Sequence, residues 1–214
     1  MSVVVSKFGG TSMGDASCML RSAQVSLQRK SNIVVVSATS GTTNDLIKIG
    51  EMAEKGELTE VEALLKKVTE KHLIIAKELK APTEVITSLN ILLSEMDSIA
   101  RGIYLLRDCS SKAKDVLMSL GERMSSVLFT VALQNVFTDS GHAKKAKFLD
   151  VRSVLKTDDN YGKAKPITET IIKLCREKLS DCISGNTVYA TQGFIGQTLA
   201  GATTTLGRGG SDYS

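Results

Sequence analysis

Hydrophobic positions along the chain follow two periods, and the change from one to the other divides the sequence. Short β-branched or apolar runs stand at 3–6 (Val3, Val4, Val5, Ser6), 32–37, 146–150 and 188–191. Each has the length of a strand, and Ile33, Val34, Val35 and Val36 are apolar throughout, as expected where both faces of a parallel sheet are covered. A helix-like stretch covers 16–28. From 46 to about 135 the period is helical, with Leu58, Val61, Leu65, Val68, Ala76 and Leu79 forming one stripe. Leu89, Leu92, Met96, Ile99, Ile103 and Leu106 form a second, and Leu117, Leu120, Met124, Val127, Leu128 and Val131 a third. Pro82 separates the first two, because a proline drives the residue before it out of the helical region. Gly121, beside Glu122, interrupts the third. Another helix is expected over 167–179. Strands alternating with helices predict an α/β domain with a largely parallel sheet, and the long helical insertion is expected to lie over that sheet. The stretch 156–162 reads as a polar turn, and Thr203, Thr204 and Thr205 as part of a turn-rich tail.

Three loops carry candidate chemistry. After the first strand comes Lys7-Phe8-Gly9-Gly10-Thr11-Ser12. Strand, glycine turn and helix are the layout of an anion-binding helix N-terminus, with Thr11, Ser12 or Asp15 as cap. Lys7 precedes the glycines and no G-x-x-x-x-G-K-[ST] follows, so this is not a P-loop. After the second strand stands Ser37-Ala38-Thr39-Ser40-Gly41-Thr42-Thr43-Asn44-Asp45, where open α/β sheets bind ligands; Thr43 or Asp45 would cap the next helix. The third loop, Gly207-Arg208-Gly209-Gly210-Ser211-Asp212, combines an arginine and a carboxylate with glycines able to form an anion-binding concavity.

Composition narrows the classes. The 214 residues carry a net charge of +4, with no dense basic block, and only 4% aromatics. Both points argue against nucleic acid as partner. The four cysteines show no C-x-x-C spacing, which fits reduced thiols in a cytosolic protein. No apolar run is read as approaching the roughly 18 residues that span a membrane. Neither His72 nor His142 has a metal partner in sequence, so no protein metal site is expected.

Six segments in order resemble aspartate kinase, of the amino-acid kinase superfamily. They are K-F-G-G-T-S at 7–12, V-V-V-S-A-T-S-G-T-T-N at 34–44, S-L-G-E-R-M-S at 119–125, D-V-R-S-V-L-K-T-D at 150–158, T-Q-G-F-I-G at 191–196 and T-T-T-L-G-R-G-G-S-D at 203–212. The resemblance implies a three-layer α/β/α sandwich. It implies transfer of the γ-phosphoryl of ATP, with Mg²⁺ carried by the nucleotide, to the side-chain carboxylate of L-aspartate. That reaction opens lysine, threonine and methionine biosynthesis. By motif, Lys7, Phe8, Gly9, Gly10, Gly209 and Gly210 are expected at the ATP phosphates and Ser37, Thr43, Glu122 and Arg208 around aspartate. Lys7 and Asp212 are the expected catalytic pair, Asp212 keeping Lys7 oriented. Ala202 departs from the pattern, standing where many relatives have an arginine. Gly-Gly-Ser-Asp would start a helix of which only Tyr213 and Ser214 remain. The chain is therefore expected to be the N-terminal part of the kinase domain, inactive alone. The nucleotide half and regulatory ACT domains would lie beyond it, in a cytoplasmic homo-oligomer. The alternatives are another kinase of the superfamily and a non-catalytic aspartate-binding fragment.

Overall fold

The computed structural model describes residues 3–181 and 186–207. Its main sheet holds four parallel strands in the order β1 (Val5–Phe8), β2 (Ile33–Val36), β5 (Thr187–Gln192), β3 (Lys145–Leu149). The expected strands are present, the first shifted by two residues so that Lys7 lies within it. Lys7 pairs in register with Val35, and Phe8 with Val36. Between β1 and β2 runs α1 (Ala16–Gln28), capped by Asp15, whose carboxylate accepts from the Cys18 amide at 2.7 Å.

One face of the sheet is the core. Phe8, Val34, Val36, Val188 and Ala190 pack there with α1 and with α5 (Ser111–Asp139). On the opposite face of β1, Lys7 is exposed and Val5 is 54% exposed. The helical insertion comprises α2 (Thr42–Lys55), α3 (Leu58–Glu78), α4 (Thr83–Leu106) and α5. That is four helices where three stripes were read, because α2 follows the second strand so closely that its first turn reads as loop.

Gly121 does not interrupt α5. The helix runs through it because a Cβ at 121 would stand 2.9 Å from the Ala38 Cβ and 3.2 Å from Leu46. The glycine lets the helix approach the end of β2 more closely than a side chain allows. Among the described residues, α5 also contains an 18-residue window apolar enough to cross a bilayer, against the sequence expectation, but 72% of it is buried in this fold. Helices of that kind line the cores of soluble proteins as well.

A second sheet was not foreseen. β4 (Lys156–Thr157) pairs parallel with β6 (Ile195–Thr198), which pairs antiparallel with β7 (Thr203–Thr205). The presumed polar turn thus supplies a strand, and so does the threonine run. A small cluster of Val151, Val154, Leu155 and Ile195 underlies this sheet, with Ile171 and Leu174 of α6 (Thr168–Lys178) against it.

The second sheet is tied to α5 by Asp115, which is 1% exposed. One carboxylate oxygen accepts from the amides of Thr205 and Gly162, both at 2.9 Å, and the other from the Thr205 hydroxyl at 2.7 Å. Burial pushes this carboxyl above its ordinary pKa, while the three donors act the other way. Asp115→Ala leaves the buried Thr205 amide and the half-buried Gly162 amide without an acceptor and is expected to cost about 2 kcal/mol or more. Asp115→Asn keeps an amide oxygen for both and should cost less. Thermal melts of the two variants check the order; equal melting temperatures would discount the clasp.

Candidate active site

The carboxyl ends of β1 and β2 open into a cleft of about 420 Å³. Gly10 and Thr11 line one side, the segment from Ser37 to Gly41 with Thr43 another, and Glu122 and Phe194 complete it. The turns are joined at the strand ends, where the Ser37 amide donates to the Phe8 carbonyl at 3.1 Å. Gly41, at φ +81°, makes the left-handed turn from which α2 starts, without a side-chain cap. Neither Thr43 nor Asp45 therefore caps α2; Thr43 lies in its first turn and faces the cleft. A helix N-terminus beside the cavity favours negative charge there.

Glu122 dominates the electrostatics. It is only 4% exposed, and its Oε1 accepts from the Ala38 amide at 3.3 Å. Its Oε2 is buried with no hydrogen-bond partner. Burial pushes the carboxyl up to about 8, only partly opposed by backbone N–H donors. Ionised, the group would stand in the cleft without a counter-charge.

The structure brings Ser37, Thr43 and Glu122 into one cleft with Gly10. Lys7 is not among its lining residues: strand alternation sends its side chain to the face opposite Phe8. The Phe8 ring turns into the core, with its centroid 6.3 Å from that of Phe129. Gly9 faces open space where a backbone can meet a ligand, since a Cβ there would touch nothing within 4 Å. Arg208, Gly209, Gly210 and Asp212 lie outside the described residues.

Sequence reasoning missed Phe194 and Thr39 as cleft residues. Phe194 has φ +70°, and its carbonyl accepts from the Leu206 amide at 2.9 Å. Its place between Gly193 and Gly196 was the available signal. His72, read as structural or surface, is fully buried behind the cleft.

The amino acid kinase family model matches residues 2–214. The chain belongs to the amino acid kinase family. It is 35% identical to the lysine-sensitive aspartokinase 3 of Escherichia coli (strain K12), over 99% of this chain and 45% of that protein. It is 34% identical to an aspartokinase of Chlamydia pneumoniae, over 100% of this chain and 44% of that one. The solved E. coli aspartokinase III, in complex with aspartate and ADP, superposes with a TM-score of 0.88 at 37% identity, over 99% of this chain and 45% of that one. The chain thus spans about half the length of these relatives, and its α/β fold with a largely parallel sheet is that of the family.

The raised pKa of Glu122 has a consequence for stability. The folded protein keeps a proton between about pH 4.5 and 8 that the unfolded chain has released. Stability therefore falls as pH rises through that window and levels off above it. Glu122→Gln should abolish this slope and melt higher than wild type at pH 8.5. Parallel melting curves for the two proteins would exclude a buried, protonated Glu122.

Proposed function

We propose that this chain forms the aspartate-binding part of an aspartate kinase, the enzyme that transfers the γ-phosphoryl of ATP to the L-aspartate side chain, giving 4-phospho-L-aspartate. The observation that carries the reading is the buried, unpartnered Oε2 of Glu122 in a cleft whose lining includes several hydroxyls and the N-terminus of α2. Aspartate brings one ammonium and two carboxylates. Glu122 complements the ammonium, and Ser37, Thr43 and the first turn of α2 complement a carboxylate. Arg208 is assigned to the other carboxylate by its motif. The likeness to an aspartokinase solved with aspartate and ADP supports the same substrate pair.

In the cleft without substrate Glu122 holds a proton near neutral pH. An arriving ammonium supplies the missing counter-charge, stabilises the carboxylate and expels that proton. Lys7 and the Gly9–Gly10 turn are assigned to the ATP phosphates, with Gly209 and Gly210; the Phe8 backbone belongs to the same turn. The open space at Gly9 fits a close phosphate approach. Magnesium would be carried by the nucleotide, whose phosphate oxygens are hard ligands suited to it, and would supply neutralising charge to the transferred group. Asp212 is assigned to orienting Lys7. We read residues 1–214 as the N-terminal part of the kinase domain, working in a cytoplasmic homo-oligomer at the entry to lysine, threonine and methionine synthesis. The three cysteines described, Cys18, Cys109 and Cys175, are free thiols, in keeping with a reducing compartment.

Calorimetry in buffers of different ionisation enthalpy tests the acceptor site. Aspartate binding at pH 7 should release up to one proton and tighten as pH rises towards 8. Glu122→Gln should release none and bind aspartate about 10- to 100-fold more weakly, as loss of a charge-assisted bond implies. Binding without proton release would remove Glu122 from the ammonium site. A coupled ADP assay on the intact protein, with aspartate against glutamate and acetylglutamate, checks the substrate.

Lys7→Ala in the intact protein should lower kcat by about 100-fold or more, with a smaller change in aspartate KM. Steady-state kinetics decide; turnover near wild type in a folded variant would sever Lys7 from the chemistry.

A further inference from the structure

Behind the cleft, α3 presents three polar side chains to the segment that follows β2. Lys67 Nζ lies 2.9 Å from an oxygen of Asp45. Lys71 Nζ donates to the Ser40 carbonyl. Next to Lys71 on the same helix, His72 has no exposed surface. Its Nδ1 is 2.8 Å from the Val68 carbonyl, which can only accept, so Nδ1 carries the ring proton. Its Nε2 stands 3.4 Å from Thr39 Oγ1, and Thr39 Oγ1 stands 2.6 Å from Thr42 Oγ1. Both threonines are 1% exposed.

The tautomer sets the direction of this chain of hydrogen bonds. Burial lowers His72 to about 4, and the Lys71 charge acts in the same sense, against the Val68 carbonyl. The ring is neutral, so Nε2 is a bare acceptor and the Thr39 hydroxyl turns towards it. Thr39 Oγ1 is then left as acceptor for the Thr42 hydroxyl. The Thr42 amide donates to the Thr39 carbonyl at 3.0 Å, closing the turn a second time. A buried histidine with both nitrogens committed fixes a backbone turn more firmly than an apolar residue of its size.

Given the acceptor site proposed above, we propose that His72 is a positioning residue for it, holding the Thr39–Thr42 turn so that Ser37 and Thr43 face the substrate. His72 touches no substrate; it acts through Thr39, and Lys71 holds the adjoining carbonyl from the same helix. The helical insertion is thereby more than a cover for the sheet, since α3 sets the geometry of one wall of the cleft.

The test uses His72→Leu, which keeps much of the volume and loses both polar contacts, and His72→Gln, whose amide can reach the Nε2 position. In the intact protein His72→Leu should bind aspartate roughly 5- to 10-fold more weakly, the loss of about one hydrogen bond's worth of positioning, while KM for ATP stays within twofold. His72→Gln should recover most of that affinity. ¹⁵N spectra of the wild type should show His72 as the Nδ1–H tautomer without titration from pH 6 to 8. Thr42 amide exchange should be faster in His72→Leu than in His72→Gln. That readout needs no ligand, so it judges the positioning role even if the wild type fails to bind aspartate and the proposed function falls. A folded His72→Leu with wild-type affinity and wild-type Thr42 exchange overturns the proposal. If His72→Leu does not fold, Thr39→Val, which cuts the same contact from the other end, should show the same losses; its failure to do so overturns the proposal equally.

Discussion

The structure depends on how closely α5 lies against the end of β2. A glycine at 121 is the only residue that permits it, since any Cβ would press on Ala38 and Leu46. Two consequences follow at once. The next residue, Glu122, is carried under the turn after β2, where water is excluded and one oxygen finds no donor. Seven residues earlier, two helical turns and about 10 Å along the same helix, Asp115 meets the second sheet. The helix therefore delivers two buried carboxylates on one side, and their surroundings give them opposite work. Asp115 has three protein donors and serves as a clasp. Glu122 accepts one amide, at 3.3 Å, from the turn after β2 and keeps a bare oxygen, the feature on which the proposed ammonium site rests.

Much of the architecture was legible because hydrophobic period reports burial directly. Val34 and Val36 mark a covered strand, and Leu89, Leu92 and Met96 a buried helical stripe. The second sheet was not legible, and the reason is physical. Thr203, Thr204 and Thr205 are all buried, but they are satisfied by hydroxyl bonds rather than by apolar contacts. Thr203 accepts from Arg152, Thr204 pairs with Thr157, and Thr205 meets Asp115. Those partners lie 51, 47 and 90 residues away. A strand stabilised this way looks polar along its own length, because everything that buries it is elsewhere in the chain. The β4 pair Lys156 and Thr157 hides for the same reason.

The site shows a similar division. The glycine turns and the hydroxyl run could be placed at strand ends from sequence, since their positions follow from topology. Glu122 was named only through the family resemblance, and not by the pattern of its own segment. A glutamate beside a glycine in a helical pattern is ordinarily a solvated charge, and only its burial in the folded chain makes this one costly to ionise, against the Ala38 amide that favours the carboxylate. His72 is harder still to see, for it sits at a core position of α3 beside Val68 and Ile75 and its polar partner is 33 residues away.

In the proposed ammonium site, burial would let the single carboxylate of Glu122 discriminate between ligands as well as bind one. An exposed glutamate would stay ionised, attract any cation weakly and be screened by salt. In the cleft, ionisation without a partner is unfavourable, so the group waits as a neutral acid. Only a ligand that brings positive charge to Oε2 makes the carboxylate favourable, and in that low-dielectric setting the pair attracts strongly. Part of that attraction is spent on driving off the proton. For the proposed ammonium site this implies a moderate net affinity and a sharp preference for a ligand with a well-placed ammonium. A site that must release its product gains from that balance, because tight ground-state binding would add nothing to turnover. The hold of α3 on the turn, as proposed, fits the same logic: a cation site this dependent on distance would work only if the hydroxyl wall seating the rest of the ligand did not drift.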